Sequence, residues 1–138
     1  KRLCKNTHYF KNIVPLNFAI SDFTGKQFFY LYKSHLGSSL NSRSDKDEKI
    51  TVEALTFPDF LAQQGIDFVD ILKFDIEGGE SYLLKRDHLQ GTVGCLVGEI
   101  HTDLITTSEE DMLVQLSGYE IKKLPISEKR YIIYGTNE

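Results

Sequence analysis

The chain has 138 residues, 41% hydrophobic and 26% charged, the ordinary balance of one folded domain. Its 16 basic and 20 acidic side chains leave a formal charge of -4 with no basic block, which excludes a grip on a phosphate backbone and so a nucleic-acid partner. No apolar run approaches the ~20 residues of a membrane span, and no charged leader with an apolar core is visible. A membrane partner is therefore not expected. Cys4 and Cys95 form neither a metal-type pair nor a disulfide framework, and two reduced thiols point to a cytoplasmic protein. The chain opens on Lys1 rather than Met, as expected of a piece of a longer one.

Residues 1–9 are polar and read as the tail of a helix. Residues 13–20 read as a strand, and Ser21-Asp22-Phe23-Thr24-Gly25 as a turn. Residues 27–32 are aromatic-rich and strand-like. Residues 34–48 are Gly, Ser, Asn, Asp and Lys with little apolar content, which predicts a loop. Residues 50–55 alternate and pair with 27–32 across that long connection. Next comes a helix: Thr56 caps it, Pro58 fits its first turn, Phe57, Phe60 and Leu61 share a face, and Gly65 stops it. Residues 69–76 form a short, nearly continuous apolar run, which predicts a strand buried on both faces. Gly78-Gly79 breaks it, and residues 80–89 read as a helix ended by Gly91. Residues 95–100 are a second buried strand. Ser108 caps a helix with Glu109, Glu110 and Asp111 in its first turn, and Gly118 closes it. Residues 119–124 and 131–134 are strands joined by a loop at 125–130. Strand and helix alternate through the middle of the chain. The predicted class is therefore a single α/β domain over residues 1–138, with a mostly parallel sheet, helices on both faces and an antiparallel C-terminal hairpin.

In open α/β sheets ligands bind beyond the carboxyl ends of the strands. The richest such place is Lys73-Phe74-Asp75-Ile76-Glu77-Gly78-Gly79-Glu80. In an extended strand Lys73, Asp75 and Glu77 would share one face. Two carboxylates and an ammonium at the end of a buried strand are costly unless paired or used. One reading is an ion pair of Lys73 with Asp75 or Glu77 plus a turn, and the other is a site. The next buried strand ends Glu99-Ile100-His101, so Glu99 and His101 emerge at the same edge. Asp75, Glu77, Glu99 and His101 could thus converge as a general acid/base group or as donors to a divalent metal, although their spacing is not diagnostic of a metal. Ser38 and Ser39 sit in the polar loop, which could close over such a site.

Residues 69–80 are similar to the signature of FkbM-type methyltransferases, "VD-LK-D-EG-E". Other pieces agree in chain order. Asn17-Phe18-Ala19-Ile20-Ser21-Asp22 with Thr24-Gly25 resembles the family's "N-A-D-TG" strand end. Ser38-Ser39-Leu40 resembles its serine loop, residues 51–61 its "V--TTLDDL" stretch, and Glu99-Ile100-His101 its "E-H" strand end. The resemblance covers about residues 12–116. It implies a Rossmann-like class I methyltransferase sheet, S-adenosyl-L-methionine as cofactor, and O-methylation of a small-molecule acceptor, a metabolite or sugar hydroxyl. It further implies catalytic roles for Asp75, Glu77, Glu99 and His101. Ser21, Asp22 and Asp75 would bind the cofactor, and Lys73, Glu80, Ser38 and Ser39 the acceptor. No resident metal is implied.

The family's opening strand and Gly-rich turn, which hold the methionine part of the cofactor, have no counterpart in this sequence. The resemblance therefore implies the C-terminal portion of the domain, with the first two strands of the sheet missing and little activity unless upstream residues are restored. The strand at 69–76 would then lose a neighbour, and that open edge favours homo-oligomers. Read from the residues alone, two other functions stay open: a non-catalytic α/β scaffold or dimerisation module, and a metal-dependent hydrolase built on Asp75, Glu77, Glu99 and His101.

Overall fold

The structure, a computed structural model, describes residues 2–32, 38–42, 48–105 and 107–137. Helix α1 (Arg2–Thr7) leads through an irregular stretch to a two-residue strand, β1 (Ala19–Ile20). Two longer strands follow, β2 (Gly25–Leu31) and β3 (Glu48–Leu55). The expected strand over 13–20 is thus cut to its last two residues. Pro15 lies in the middle of that stretch and has no N–H to give to a ladder, and Ile13, Val14 and Leu16 remain exposed. The antiparallel pairing of β2 with β3 is as the alternation predicted, with Phe28 opposite Thr51. Of the polar loop between them only residues 38–42 lie within the described part, and there Ser39 bridges back to Tyr30.

Helix α2 (Phe57–Gln64) begins and ends where its sequence signals lie. The Thr56 hydroxyl accepts from the Asp59 amide, Pro58 occupies the first turn, and Gly65 closes the helix in the left-handed conformation. Strand β4 (Val69–Phe74) leads through residues 75–79 to two short helices, α3 (Glu80–Leu83) and α4 (Arg86–Leu89). One helix was expected over 80–89. Neither Gly nor Pro marks the break, but Leu84 and Leu89 are both buried in the core. In a continuous helix residues five apart point about 140° away from each other. Interrupting the helix at Lys85 lets both face inward.

The remaining elements are β5 (Val93–His101), α5 (Glu109–Gln115), β6 (Tyr119–Ser127) and β7 (Arg130–Asn137). The Ser108 cap on α5 is as predicted. The β6–β7 hairpin is tighter than expected. Its strands continue to Ser127 and from Arg130, and Pro125 is accommodated beside a bulge because β6 is an edge strand.

The strands form two mixed sheets, β1-β3-β2 and β4-β5-β7-β6, rather than the one mostly parallel sheet expected. Parallel pairing occurs between β1 and β3 and between β4 and β5, whereas β2–β3, β5–β7 and β6–β7 are antiparallel. The class is α/β, with a mixed arrangement. Among the described residues no strand lies between β1 and β4, so nothing joins the two sheets by backbone hydrogen bonds.

One core serves the four-stranded sheet. Phe74, Leu96, Ile100, Tyr131 and Ile133 from the strands meet Phe57 and Leu61 of α2, Leu83 of α3, Leu89 of α4 and Met112 of α5. The helices thus supply one face. The opposite face of β4 stays open: Ile71 is 66% exposed, and Lys73 is exposed beside it. The expectation that residues 69–76 are buried on both faces is corrected here. Strand β4 has β5 as its one partner among the described residues, and no helix of the core covers its outer face. Strand β5, held between β4 and β7, has Leu96 and Ile100 of the predicted run at 95–100 wholly buried, while Cys95, Val97 and Glu99 are partly exposed.

Candidate functional site

β4 and β5 run parallel in register, Lys73 opposite Val97 and Phe74 opposite Gly98. Their carboxyl ends therefore fall side by side. Gly98 leaves room for the Phe74 ring, since a Cβ there would lie 2.4 Å from it. Asp75 follows Phe74 and Glu99 follows Gly98, so the absence of a side chain at 98 brings two carboxylates to one rim.

The strand does not continue through Glu77, as an unbroken reading of Lys73, Asp75 and Glu77 would need. β4 ends at Phe74, and Glu77 takes a left-handed conformation at φ 49°. Gly78 follows at φ 97°. A Cβ on Gly78 would lie 2.8 Å from Asn41 Nδ2 and 2.9 Å from Leu104 Cβ, so this position needs both the dihedral freedom and the bareness of glycine. The turn aims Glu77 back toward β5 and presents the Gly78 N–H to the Glu80 carboxylate, at 3.0 and 3.2 Å from its two oxygens.

His101 is the centre of the cluster. Its side chain is wholly buried, and its Nδ1–H donates to Glu80 Oε1 at 2.9 Å. Glu80 is wholly buried as well, so it reaches the site through the imidazole. The other ring nitrogen, Nε2, is buried without a hydrogen-bond partner. It lies 3.5 Å from Glu99 Oε1, 3.7 Å from Glu77 Oε2 and 3.9 Å from Asp75 Oδ1. Burial alone would push the imidazole below its ordinary pKa. The Glu80 hydrogen bond and the charges of Glu80, Glu77 and Glu99 outweigh it and raise the value. Arg130 lies within ion-pair reach of Glu99, its Nη1 3.8 Å from Glu99 Oε1.

Three hollows adjoin the cluster or its supports. A small notch of about 130 Å³ on the open sheet face is lined by Lys73, Asp75, Val97 and Glu99. An apolar cleft of about 450 Å³ runs between the two sheets, from Phe18 and Ile20 to Leu72, Phe74 and Asp75. A third cavity, about 460 Å³, is lined by Ser21, Asp22, Phe23, Tyr30, Asn41 and Tyr82. The latter two have the size of small-molecule sites, about 300–1,000 Å³. Tyr82 has its phenol pKa raised, by burial first and then by the charge of Asp22.

The structure thus brings Asp75, Glu77, Glu99 and His101 together, with Glu80 behind them. Lys73 is exposed on the sheet face and forms no ion pair among the described residues, so the alternative of a Lys73–Asp75 or Lys73–Glu77 pair is not what the acids do. Ser21 and Asp22 lie apart, on the third cavity, where the Ser21 hydroxyl donates to Asp22 Oδ1 at 3.0 Å. Ser38 and Ser39 are engaged within their own loop. Ser38 Oγ accepts from the Tyr32 amide, and the buried Ser39 hydroxyl donates to the Asn41 carbonyl and accepts from its amide. The sequence reading missed Asn41, whose side-chain amide donates to the Gly78 carbonyl at 3.3 Å and so ties the third cavity to the 77–78 turn. It also missed Arg130 and Tyr82. A polar residue inside a polar loop gave no signal for Asn41, since its role depends on contacts 37 residues away.

Carboxylates and an imidazole gather at the ends of adjacent parallel strands, and comparison with known families gives the class of the chain as methyltransferase. Residues 5–121 match the methyltransferase FkbM domain, so the chain belongs to that family. No curated protein and no solved structure gives a significant match. Cys4 and Cys95 are free thiols, and no helix among the described residues is long and apolar enough to cross a membrane.

Proposed function

We propose that this domain transfers a methyl group from S-adenosylmethionine to a hydroxyl oxygen of a small metabolite or sugar. The observation that carries the reading is the convergence of Asp75, Glu77, Glu99 and His101 on one rim between parallel strands. The third cavity suits the adenosine end of the cofactor, because Phe23, Tyr30 and Tyr82 offer aromatic walls and Asp22 an exposed acceptor for amino or hydroxyl donors. Asp75 borders both the apolar cleft and the notch, which suits it to face donor and acceptor. In this reading the two sheets are wings of one Rossmann-like sheet, with β1 and β4 turned toward the apolar cleft between them.

The bound sulfonium supplies a methyl group already activated for displacement. What remains for the protein is to hold the acceptor oxygen in line and to manage its proton, and well-aligned proximity provides most of such a rate. The rim acids Asp75 and Glu99 receive the acceptor hydroxyl as a hydrogen-bond donor. The inner pair, Glu77 and His101, sits behind them in a more buried place, where the neighbouring carboxylates stabilise positive charge on the imidazole. Glu80 fixes the ring so that Nε2 faces the rim.

Calorimetry with S-adenosylmethionine on the full-length protein tests this directly, followed by methyl transfer to hydroxyl-bearing sugars. Binding is expected, and Asp75→Asn should lower turnover by about 10²-fold or more while the circular dichroism spectrum stays unchanged. Absence of binding at millimolar cofactor would sink the proposal.

A further inference from the structure

We propose that Asp75, Glu99 and His101 form a binding site for a single divalent transition-metal cation. The inference deepens the methyl-transfer reading and rests on it only for the role of the ion, not for its binding. Each of the three residues brings one donor atom to within 4.8 Å of the other two. Two ligands each about 2.1 Å from a common ion lie about 3.0 Å apart at a right angle and about 3.4 Å apart at the tetrahedral angle. The His101 Nε2 separations of 3.5 Å to Glu99 and 3.9 Å to Asp75 reach that spacing with a small inward rotation of the two acids. Both acids have exposed or partly exposed side chains, so they are free to make it, whereas the imidazole is locked.

Carboxylates clustered at a rim are common and would carry nothing by themselves. The independent observation is the imidazole. His101 is fully buried and its Nε2 has no hydrogen-bond partner, a costly state for a polar atom. Its Nδ1–H is given to the buried Glu80 carboxylate, which is the arrangement that fixes the tautomer of a metal-bound histidine and raises its donor strength. With Nδ1 as donor, the ring aims Nε2 at the acids, and a cation bound there takes the place of an Nε2 proton. Asp75 and Glu99 bring two carboxylates to within 3.9 Å of Nε2, and such anionic oxygens beside an imidazole are the donors a divalent cation takes.

The donor set also selects the ion. An imidazole beside carboxylates suits manganese, iron, cobalt or zinc better than magnesium or calcium, which prefer oxygen alone. Three protein ligands leave positions open on the rim side, toward the notch lined by Lys73 and Val97. An acceptor hydroxyl bound there would be acidified by the ion, and Glu77, 3.7 Å from the same Nε2, would receive its proton. The acceptor class this favours carries two adjacent oxygens, a vicinal diol or a hydroxy acid, able to chelate.

Manganese(II) is the probe. Titrated into the full-length protein without cofactor, it should lose its free six-line electron paramagnetic resonance signal up to one equivalent. Pulsed measurements on the bound ion should show coupling to an imidazole nitrogen. Asp75→Asn and Glu99→Gln, both at partly exposed positions, should each weaken binding by more than about 10-fold with an unchanged circular dichroism spectrum. An undiminished free signal at millimolar manganese, bound ion without nitrogen coupling, or equal binding by the two variants would each overturn the site. Cofactor binding seen by calorimetry in the presence of a chelator would leave the methyltransferase reading standing when the metal site fails.

Discussion

At the scale of single residues, the site depends on a turn that only one side chain type can make. Gly78 holds φ 97° with Asn41 and Leu104 pressed against the place where a Cβ would go. Its N–H is also what the Glu80 carboxylate accepts, and Glu80 in turn holds His101. Gly78→Ala should therefore lower unfolding stability by about 1–3 kcal/mol in a urea titration, from backbone strain alone. It should also disturb His101, seen as a shift of the ring proton resonances. The pairing of acids with a histidine was legible from Asp75, Glu77, Glu99 and His101 because each follows or closes a run of apolar residues. The division of labour among them was not. Nothing local distinguishes Glu80 from Glu77, yet one is sealed behind the ring and the other faces the rim. That difference arises from the left-handed turn at 77–78, which a pattern of alternating residues does not encode.

At the scale of elements, the capping signals were the most readable. Thr56, Pro58 and Gly65 bound α2 where the sequence says they should, and Ser108 starts α5. Thr56→Ala should cost about 1 kcal/mol, measured by chemical denaturation. Asp59 adds a pH signature. Hydrogen bonds from Thr24 and Thr56 hold its carboxyl below the ordinary value of 3.8. A carboxyl depressed in the folded state supports folding at every pH above its ordinary value, and that support is lost as pH falls through the folded value. Asp59→Asn should thus be less stable than the parent at neutral pH, with the gap closing as pH falls below the ordinary carboxyl value of 3.8. The elements that misled were those decided at a distance. The strand expected over 13–20 fails at Pro15, and the helix over 80–89 breaks because Leu84 and Leu89 both go to the core. Burial there overrides a helical pattern that contains no breaker.

At the scale of the whole molecule, the alternation of strand and helix was enough to give the class, but not the division into two mixed sheets. Strand pairing is settled by which edges meet, and the run over 69–76 reads equally well as an interior or an edge strand. The consequence is measurable. β5 has partners on both sides, while β4 pairs with β5 alone among the described residues. Native-state hydrogen exchange should therefore find β5 amides among the slowest in the protein, and alternate amides of β4 fast. Uniform protection along β4 would show that its second edge is covered. Strand β5 also carries Leu96 and Ile100 into the core and Glu99 and His101 into the cluster, all within six positions. The same segment is thus both keel and tool. Random variation that disables the chemistry through this strand will tend to unfold the protein first, so a laboratory search for new acceptor preference would do better to leave β5 untouched and diversify Lys73 and Ile132, the walls of the notch that the neighbouring strands supply.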